Sequence, residues 1–156
     1  MDNKNMPKLS GIDHCHLNVE NLSNAVKWYE RVLGFSIVPE LAFWNEDERG
    51  PLTLEDASST TRLALFEGEG RSKGIAFLAT GEQFIQWLSH LESLNIKAVL
   101  ADHGVTFSMY FKDDSGNSHE ITSHDYSYIK LYYPSVNLGS HSSKKANVVN
   151  PIIPII

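Results

Sequence analysis

The chain has one cysteine and no long apolar run among its 156 residues. Cys15 cannot form an internal disulfide, so a reducing cytoplasm is the expected location. No stretch approaches the roughly 18 apolar residues of a membrane-spanning helix, and the N-terminal segment MDNKNMPKLS lacks the apolar centre of a secretory signal. These absences predict a cytoplasmic globular protein that does not interact with a membrane.

Basic residues are also scarce, since 13 Lys and Arg are outnumbered by 19 Asp and Glu. A formal net charge of -6 and the lack of a basic stripe predict that the chain does not bind nucleic acid. The sequence has no H-E-x-x-H motif, no paired C-x-x-C and no Ser-His-Asp order. The loop GEGRSKG lacks the residue order of a phosphate-binding loop. Zinc proteases, zinc ribbons and nucleophilic hydrolases therefore have no support.

The stretch GIDHCHLNV predicts a strand over about 12–19, because polar and apolar residues alternate in it. The apolar face comprises Cys15, Leu17 and Val19, and the polar face comprises His14, His16 and Asn18. An apolar face of this kind packs on a helix. The polar face is typical of a wet binding site.

The rest of the first half predicts a helix followed by three strands. The helix covers 21–33, Gly34 ends it in a left-handed conformation, and FSIVPE continues as a strand. Residues 41–61 give a weak signal, in which Phe43 and Trp44 fit a short strand. The alternating segment TRLALFE predicts a strand with Arg62, Ala64 and Phe66 on one face.

The second half repeats this order at an offset of 60 or 61 residues. GIAFLAT predicts a strand, Thr80 and Gln83 a capping box at the start of a helix, and Asn95 a left-handed end to it. IKAVLA and the hairpin of TFSMYFKDD and SHEITSH complete the unit. The fold class predicted is α+β, with two tandem βαβββ modules whose curved mixed sheets form a cup, with the helices outside.

The predicted boundaries place the first module at 10–70 and the second at 71–128. Residues 129–156 have no sustained period and are rich in Ser and Asn. This segment is expected to be a loosely ordered tail, and docking on a partner is the alternative.

Two segments resemble the vicinal oxygen chelate superfamily, the group of glyoxalases, bleomycin resistance proteins and ring-cleaving dioxygenases. GIDHCHLNVENLSNAVKWYERVLGF is similar to its opening module, and FSMYFKDDSGNSHEIT is similar to its closing hairpin. The resemblance covers about residues 10–125. It implies paired βαβββ modules, often in a homodimer, and a metal-ligand position at His14 and at Glu120. One further ligand position of the superfamily coincides with Gly74, and another falls at or beside Ala64. Neither residue has a metal-binding side chain.

The residues themselves offer a replacement ligand. His14 and His16 form an H-x-H on one strand face, a spacing that lets two imidazoles approach one ion. If the last strand is long enough, His124 shares a face with Glu120. We therefore expect His14, Glu120 and either His16 or His124 to bind Fe, Mn, Ni or Zn, with a site that binds no metal as the alternative.

Alternation also predicts the residues that contact a substrate. Ser108 and Tyr110 are expected on the same face as Glu120, with Arg62 and Phe66 on the opposite wall. His16 and Tyr110 are the candidate catalytic residues, because an imidazole transfers protons near neutral pH and Tyr110 can orient the substrate.

Two functions remain open from the sequence. The first is a metal-dependent glyoxalase- or dioxygenase-like enzyme acting on a small oxygenated molecule. The second is a metal-free, bleomycin-resistance-type protein that sequesters a small aromatic or cationic ligand. A cup without activity, in a protein that acts through its dimer surface, is a third reading. The expected partners are a small molecule and a second copy of the chain, and the sequence names neither substrate nor metal.

Overall fold

Two units, Met1–Glu69 and Gly70–Ile156, make up the chain. The computed structural model describes residues 10–46 and 50–134. Each unit contains one four-stranded mixed sheet and at least one α-helix, in the order strand, helix, three strands. This confirms the predicted α+β fold class of two tandem modules. The boundary lies one residue before the predicted one.

The first unit has its sheet strands in the order β1-β4-β3-β2, with β1 parallel to β4 and the other neighbours antiparallel. Its elements are β1 (Cys15–Val19), α1 (Leu22–Leu33), β2 (Ser36–Ile37), a 3₁₀ helix (Pro39–Glu46), β3 (Leu52–Glu55) and β4 (Arg62–Glu67). The register places Leu17 beside Leu65, so that the apolar faces of β1 and β4 coincide.

Helix α1 forms where the sequence signals begin and end it. The Asn21 side chain accepts a hydrogen bond from the Asn24 N–H at 2.9 Å, and Gly34 adopts a φ of 71° at the other end. The buried residues of α1 are Ala25, Trp28, Tyr29, Val32 and Leu33. Fully burying one large apolar side chain contributes about 1.5–3 kcal/mol, so this face holds the helix on its unit.

The second unit repeats the topology in the order β5-β8-β7-β6, with β5 parallel to β8. Its elements are β5 (Ala76–Leu78), α2 (Gly81–Ser93), β6 (Val99–Asp102), β7 (Phe107–Lys112), β8 (Ser118–Ser123) and α3 (Tyr126–Tyr132). The predicted capping box is confirmed, because Thr80 accepts from the Gln83 N–H and Gln83 accepts from the Thr80 N–H. Asn95 has the expected positive φ of 57°.

Helix α3 departs from the sequence expectation. Residues 129–132, predicted as the start of a loose tail, form the second half of this helix, and the Ile129 side chain is fully buried. The reason is a tertiary contact, because Asp125 accepts a hydrogen bond at 2.6 Å from the N–H of Gly81, 44 residues away in sequence, and brings α3 against the start of α2. The remainder of the predicted tail, from residue 135, lies outside the described residues.

Phe43 and Trp44 lie on the 3₁₀ helix, so the prediction of a short strand there is wrong. None of the residues of this helix is buried, and Pro39 at its start has no N–H to donate to a sheet. Without a buried face, the segment lacks the packing that selects a strand. Both aromatic side chains are exposed, Phe43 by 56% and Trp44 by 42%.

Within the described ranges 10–46 and 50–134, no helix combines the length and the apolar character needed to cross a bilayer.

Candidate functional site

The two histidines of the H-x-H segment contact each other directly. Their Nε2 atoms are 2.9 Å apart and their rings stack, with centroids at 4.9 Å. Strand β1 begins at Cys15, so His14 lies just before the strand and not within it as predicted. Both side chains are exposed, whereas Leu17 and Val19 are buried, so the predicted alternation holds from His16 onward.

Asp13 fixes the orientation of His14. Its Oδ2 accepts a hydrogen bond from His14 Nδ1 at 2.7 Å, and this hydrogen bond lowers the pKa of the Asp13 carboxyl. With Nδ1 carrying the hydrogen, the Nε2 of a neutral His14 is an acceptor. His14 Nε2 therefore points its lone pair at His16, in the tautomer that this hydrogen-bond network assigns.

A shallow row of side chains continues from His16 across the sheet. His16 is in register with Ala64, and Ala64 with Thr53, so the three share one face. The Phe66 ring meets His16 edge-on, with centroids 5.1 Å apart. The Thr53 hydroxyl is buried and, among the residues that the structure describes, has no hydrogen-bond partner. A hydroxyl of this kind can donate to or accept from a group bound on this face.

Arg62 lies on the same face, as predicted, but it is already paired. Its Nε donates to Glu55 at 3.1 Å, and its Nη1 is 3.7 Å from Asp13 Oδ1. Two carboxylates beside one guanidinium offset its positive charge. This part of unit 1 therefore offers little attraction to an anionic substrate group.

In the second unit, Ser108, Tyr110 and Glu120 share one face, as predicted. Tyr110 is directly opposite Glu120 in the β7–β8 ladder, and Ser108 is opposite Thr122. Ser108 Oγ donates to Glu120 Oε1 at 2.5 Å, and Ser108 is buried. The carboxylate is therefore held by its neighbour across the strands, with acceptor capacity left over.

His103 joins this face from the β6–β7 turn. Its Nε2 is 3.2 Å from the Tyr110 hydroxyl. His124, the alternative ligand, follows the end of β8 at Ser123 and is exposed. The strand therefore stops one residue short of what the shared face with Glu120 requires.

Gly74 cannot be replaced by a metal-binding residue. Its φ is +91°, and an ideal Cβ there would lie 1.5 Å from the Ser118 carbonyl oxygen. Ala64, at the other vacant ligand position, presents only a buried methyl group. Neither position supplies a ligand, so the four-ligand site implied by the resemblance is incomplete in this chain.

The sequence gives no role to Asp13, whose adjacency to His14 is its one signal. It predicts His103, beside Gly104, to be a surface loop residue, with a lid group as the alternative. It predicts that His119, on the face opposite to Glu120, faces solvent or packs on a helix. His119 is fully buried, accepts from the Ile75 N–H through Nδ1 at 3.3 Å and lies 3.5 Å from Asp113. These contacts indicate that His119 has a structural role, in which it links the β7–β8 turn to the segment before β5.

Over residues 10–46 and 50–134, no group of three or more His, Cys, Asp and Glu side chains gathers closely enough to hold a metal ion. In unit 1, His14 contacts both His16 and Asp13. Two imidazole nitrogens fit a divalent transition metal, whose other positions need further ligands.

Solved structures with the same fold come from several bacteria and from a metagenome. The integron cassette protein HFX_CASS4 from the Halifax Harbour sewage outfall aligns with a TM-score of 0.63 at 19% identity, over 74% of this chain and 99% of that one. Lactoylglutathione lyase from Agrobacterium tumefaciens aligns with a TM-score of 0.59 at 20% identity, over 76% of this chain and 97% of that one. The fosfomycin resistance protein FosX from Listeria monocytogenes aligns with a TM-score of 0.59 at 17% identity, over 76% of this chain and 92% of that one. At these low sequence identities the structural alignments show a common fold and nothing further.

No curated protein sequence matches the chain. The family model described as Glyoxalase/Bleomycin resistance protein/Dioxygenase superfamily matches residues 11–121, which include both sheets almost entirely. The chain therefore belongs to the glyoxalase/bleomycin resistance protein/dioxygenase superfamily.

Proposed function

We propose that this chain binds one divalent metal ion through His14 and His16 and acts on a small oxygenated molecule. The observation that carries the proposal is the 2.9 Å separation of the two Nε2 atoms. The two nitrogens share one hydrogen in this arrangement. With the hydrogen of His16 on Nδ1 instead, both Nε2 lone pairs would be available to one divalent ion such as Mn, Fe, Ni or Zn.

Glu120 is the proposed carboxylate ligand. The resemblance of the closing hairpin assigns it, and its hydrogen bond from Ser108 supports the assignment. A ligating carboxylate is commonly held by such a neighbour, which orients it and preserves its charge. Two imidazoles and one carboxylate form a donor set that leaves positions for substrate oxygens.

Two structural neighbours support the class of chemistry. One FosX structure is a complex with Mn(II) and 1S,2S-dihydroxypropylphosphonic acid, and another neighbour is a lactoylglutathione lyase. For this chain we propose a substrate with adjacent oxygen atoms, such as a diol or a hemithioacetal.

A bound ion would supply Lewis-acid polarisation of a substrate oxygen. Within unit 1 the Phe66 ring lies against His16. Within unit 2 Ser108 holds Glu120, and the Tyr110 hydroxyl would orient the substrate. His16 has two proposed roles, ligand and acid–base group, and they are separable. Loss of a ligand lowers metal affinity, whereas loss of an acid–base group changes the pH profile of turnover.

Metal content tests the proposal. Wild-type protein purified without a histidine tag or chelator is incubated with Fe(II), Mn(II), Ni(II) or Zn(II), desalted and measured by plasma mass spectrometry. We expect about one equivalent of metal in the wild type and loss of it in a His14→Ala/Glu120→Ala variant. The matched control is His90→Ala/Glu92→Ala on α2, which should keep the metal. Absence of metal in the wild type, or equal content in the two double variants, would overturn the proposal.

A metal-free binding protein is the second candidate, and the two vacant ligand positions favour it. Gly74 has no space for a side chain and Ala64 has no donor atom. In that case the unpaired Thr53 hydroxyl, the Phe66 ring and the carboxylates of Asp13 and Glu55 would contact a small aromatic or cationic ligand. Absence of metal together with Trp fluorescence changes on adding an aromatic cation would support this candidate.

The proposed assembly is a homodimer, as the superfamily resemblance implies. Sedimentation equilibrium of the full chain tests it, with a mass of two chains expected and a mass of one chain as the contrary result.

A further inference from the structure

We propose that His103 is a positioning residue that fixes the direction of the Tyr110 hydroxyl on the face that carries Glu120. The inference rests on the proposed function, in which Tyr110 contacts the substrate. Its direct basis is the contact between His103 Nε2 and the Tyr110 hydroxyl at 3.2 Å, with the ring planes at 82°. A hydroxyl has one hydrogen and two acceptor lone pairs, so a bond to one partner sets where the others point.

The small side chains between the two rings make the contact possible. Ala101 is directly opposite Ser108 in the β6–β7 ladder, on the same face as Tyr110. His103 follows Ala101 by two residues and so continues this face beyond the end of β6. Ala101 and Ser108 are 3% and 1% exposed. Because both are small, the imidazole and phenol rings can approach each other above them.

The turn that carries His103 is fixed independently of Tyr110. The His103 N–H donates to the Thr106 carbonyl at 3.0 Å, and the Gly104 N–H donates to Asp102 Oδ1 at 2.8 Å. Asp102 is fully buried, and its Oδ2 accepts from Lys130 at 2.8 Å and from the Tyr126 hydroxyl at 3.2 Å. These hydrogen bonds attach the turn to α3 and so fix the position of the His103 backbone.

The direction of the Tyr110 hydroxyl matters because Tyr110 lies beside the proposed ligand Glu120. Tyr110 is opposite Glu120, whose carboxylate already accepts from Ser108. A substrate hydroxyl near Glu120 therefore meets a phenol oxygen whose hydrogen-bonding direction His103 has set. Removing His103 takes away the partner at 3.2 Å that sets this direction, so the substrate would do more of the ordering on binding.

Fluorine NMR of protein labelled with 3-fluorotyrosine tests the inference. The chain has 6 tyrosines, and the signal missing from Tyr110→Phe identifies Tyr110. We expect His103→Ala to shift and broaden the Tyr110 signal, and His103→Gln, which keeps a hydrogen-bonding side chain, to restore it. The control His90→Ala should leave that signal unchanged.

Two results would overturn the inference. One is a Tyr110 signal in His103→Ala that matches the wild type. The other is a general disturbance, in which His103→Ala shifts the Tyr126 signal equally, lowers the melting temperature and is not rescued by glutamine. Metal content measured on the same samples keeps the two proposals distinguishable, because His103→Ala should retain the wild-type metal. Failure of wild-type metal uptake contradicts the proposed function and leaves the fluorine result to decide the role of His103.

Discussion

The carbonyl oxygen of Ser118 occupies the space that a side chain on Gly74 would need. An ideal Cβ on Gly74 would lie 1.5 Å from that oxygen and 2.3 Å from the Ser118 carbonyl carbon. The obstacle is backbone at the start of β8, which cannot move aside as a flexible side chain would. The vacant ligand position at Gly74 is therefore closed by the local fold of unit 2.

Replacing Gly74 by alanine should destabilise the protein by about 2–4 kcal/mol, because it adds a backbone clash to an unfavourable positive φ. Urea unfolding measures the free-energy change. Gly68→Ala is the matched control, since a Cβ there meets nothing within 4 Å. Equal stability of the two variants would contradict the backbone argument.

Asp13→Asn should lower the affinity for Mn(II) or Ni(II) about 10- to 100-fold, the usual effect of removing a carboxylate that orients a metal-binding histidine. The hydrogen bond from His14 Nδ1 to Asp13 is the structural reason. Isothermal titration calorimetry on the metal-stripped protein gives the affinity. Asp114→Asn, on the β7–β8 turn, should bind like the wild type. An unchanged affinity in Asp13→Asn would remove Asp13 from the site.

Acid should weaken the anchor of α3. Burial opposes ionisation of Asp102, but hydrogen bonds from Lys130, Gly104 and Tyr126 and the Lys130 charge outweigh it and hold the Asp102 pKa below its ordinary 3.8. The folded state therefore favours the ionised form. The stability this adds is fully present above the unfolded pKa and is lost as pH falls through the folded one.

Lys130→Met should therefore lose about 1–3 kcal/mol near neutral pH, because Asp102 stays buried with one partner fewer. As the pH falls below about 4, the free energy of unfolding of Lys130→Met should drop by less than that of the wild type. Urea unfolding at a series of pH values measures both effects. An acid dependence as steep as that of the wild type would show that Lys130 does not stabilise the Asp102 carboxylate.

Sequence reasoning succeeded where the signal is local. Gly34 ends α1, and Thr80 with Gln83 starts α2, because capping depends on residues within one helical turn. Alternation assigned the faces of β1 and β8 correctly for the same reason. The repeat at an offset of about 60 residues then predicted the second module from the first.

The failures are places where tertiary contacts decide. Phe43 and Trp44 have strand-forming side chains but lie on a 3₁₀ helix without a buried face. Helix α3 depends on the contact of Asp125 with Gly81, 44 residues away in sequence. A one-dimensional pattern does not contain such a pairing.

The candidate site divides in the same way. Alternation placed Ser108, Tyr110 and Glu120 on one face, but it could not show which of them bond to each other. The His103–Tyr110 and Asp13–His14 contacts depend on turn geometry and side-chain rotation, which spacing does not reveal.

Counting the imidazoles bound to a single metal ion tests the central claim most directly. Wild-type protein loaded with one equivalent of Cu(II) as a probe is examined by pulsed electron paramagnetic resonance, which detects the remote nitrogen of each coordinated imidazole. We expect two coordinated imidazoles in the wild type, one in His14→Ala or His16→Ala, and two in His90→Ala. No coordinated imidazole in the wild type, or the same two in the His14 and His16 variants, would contradict it.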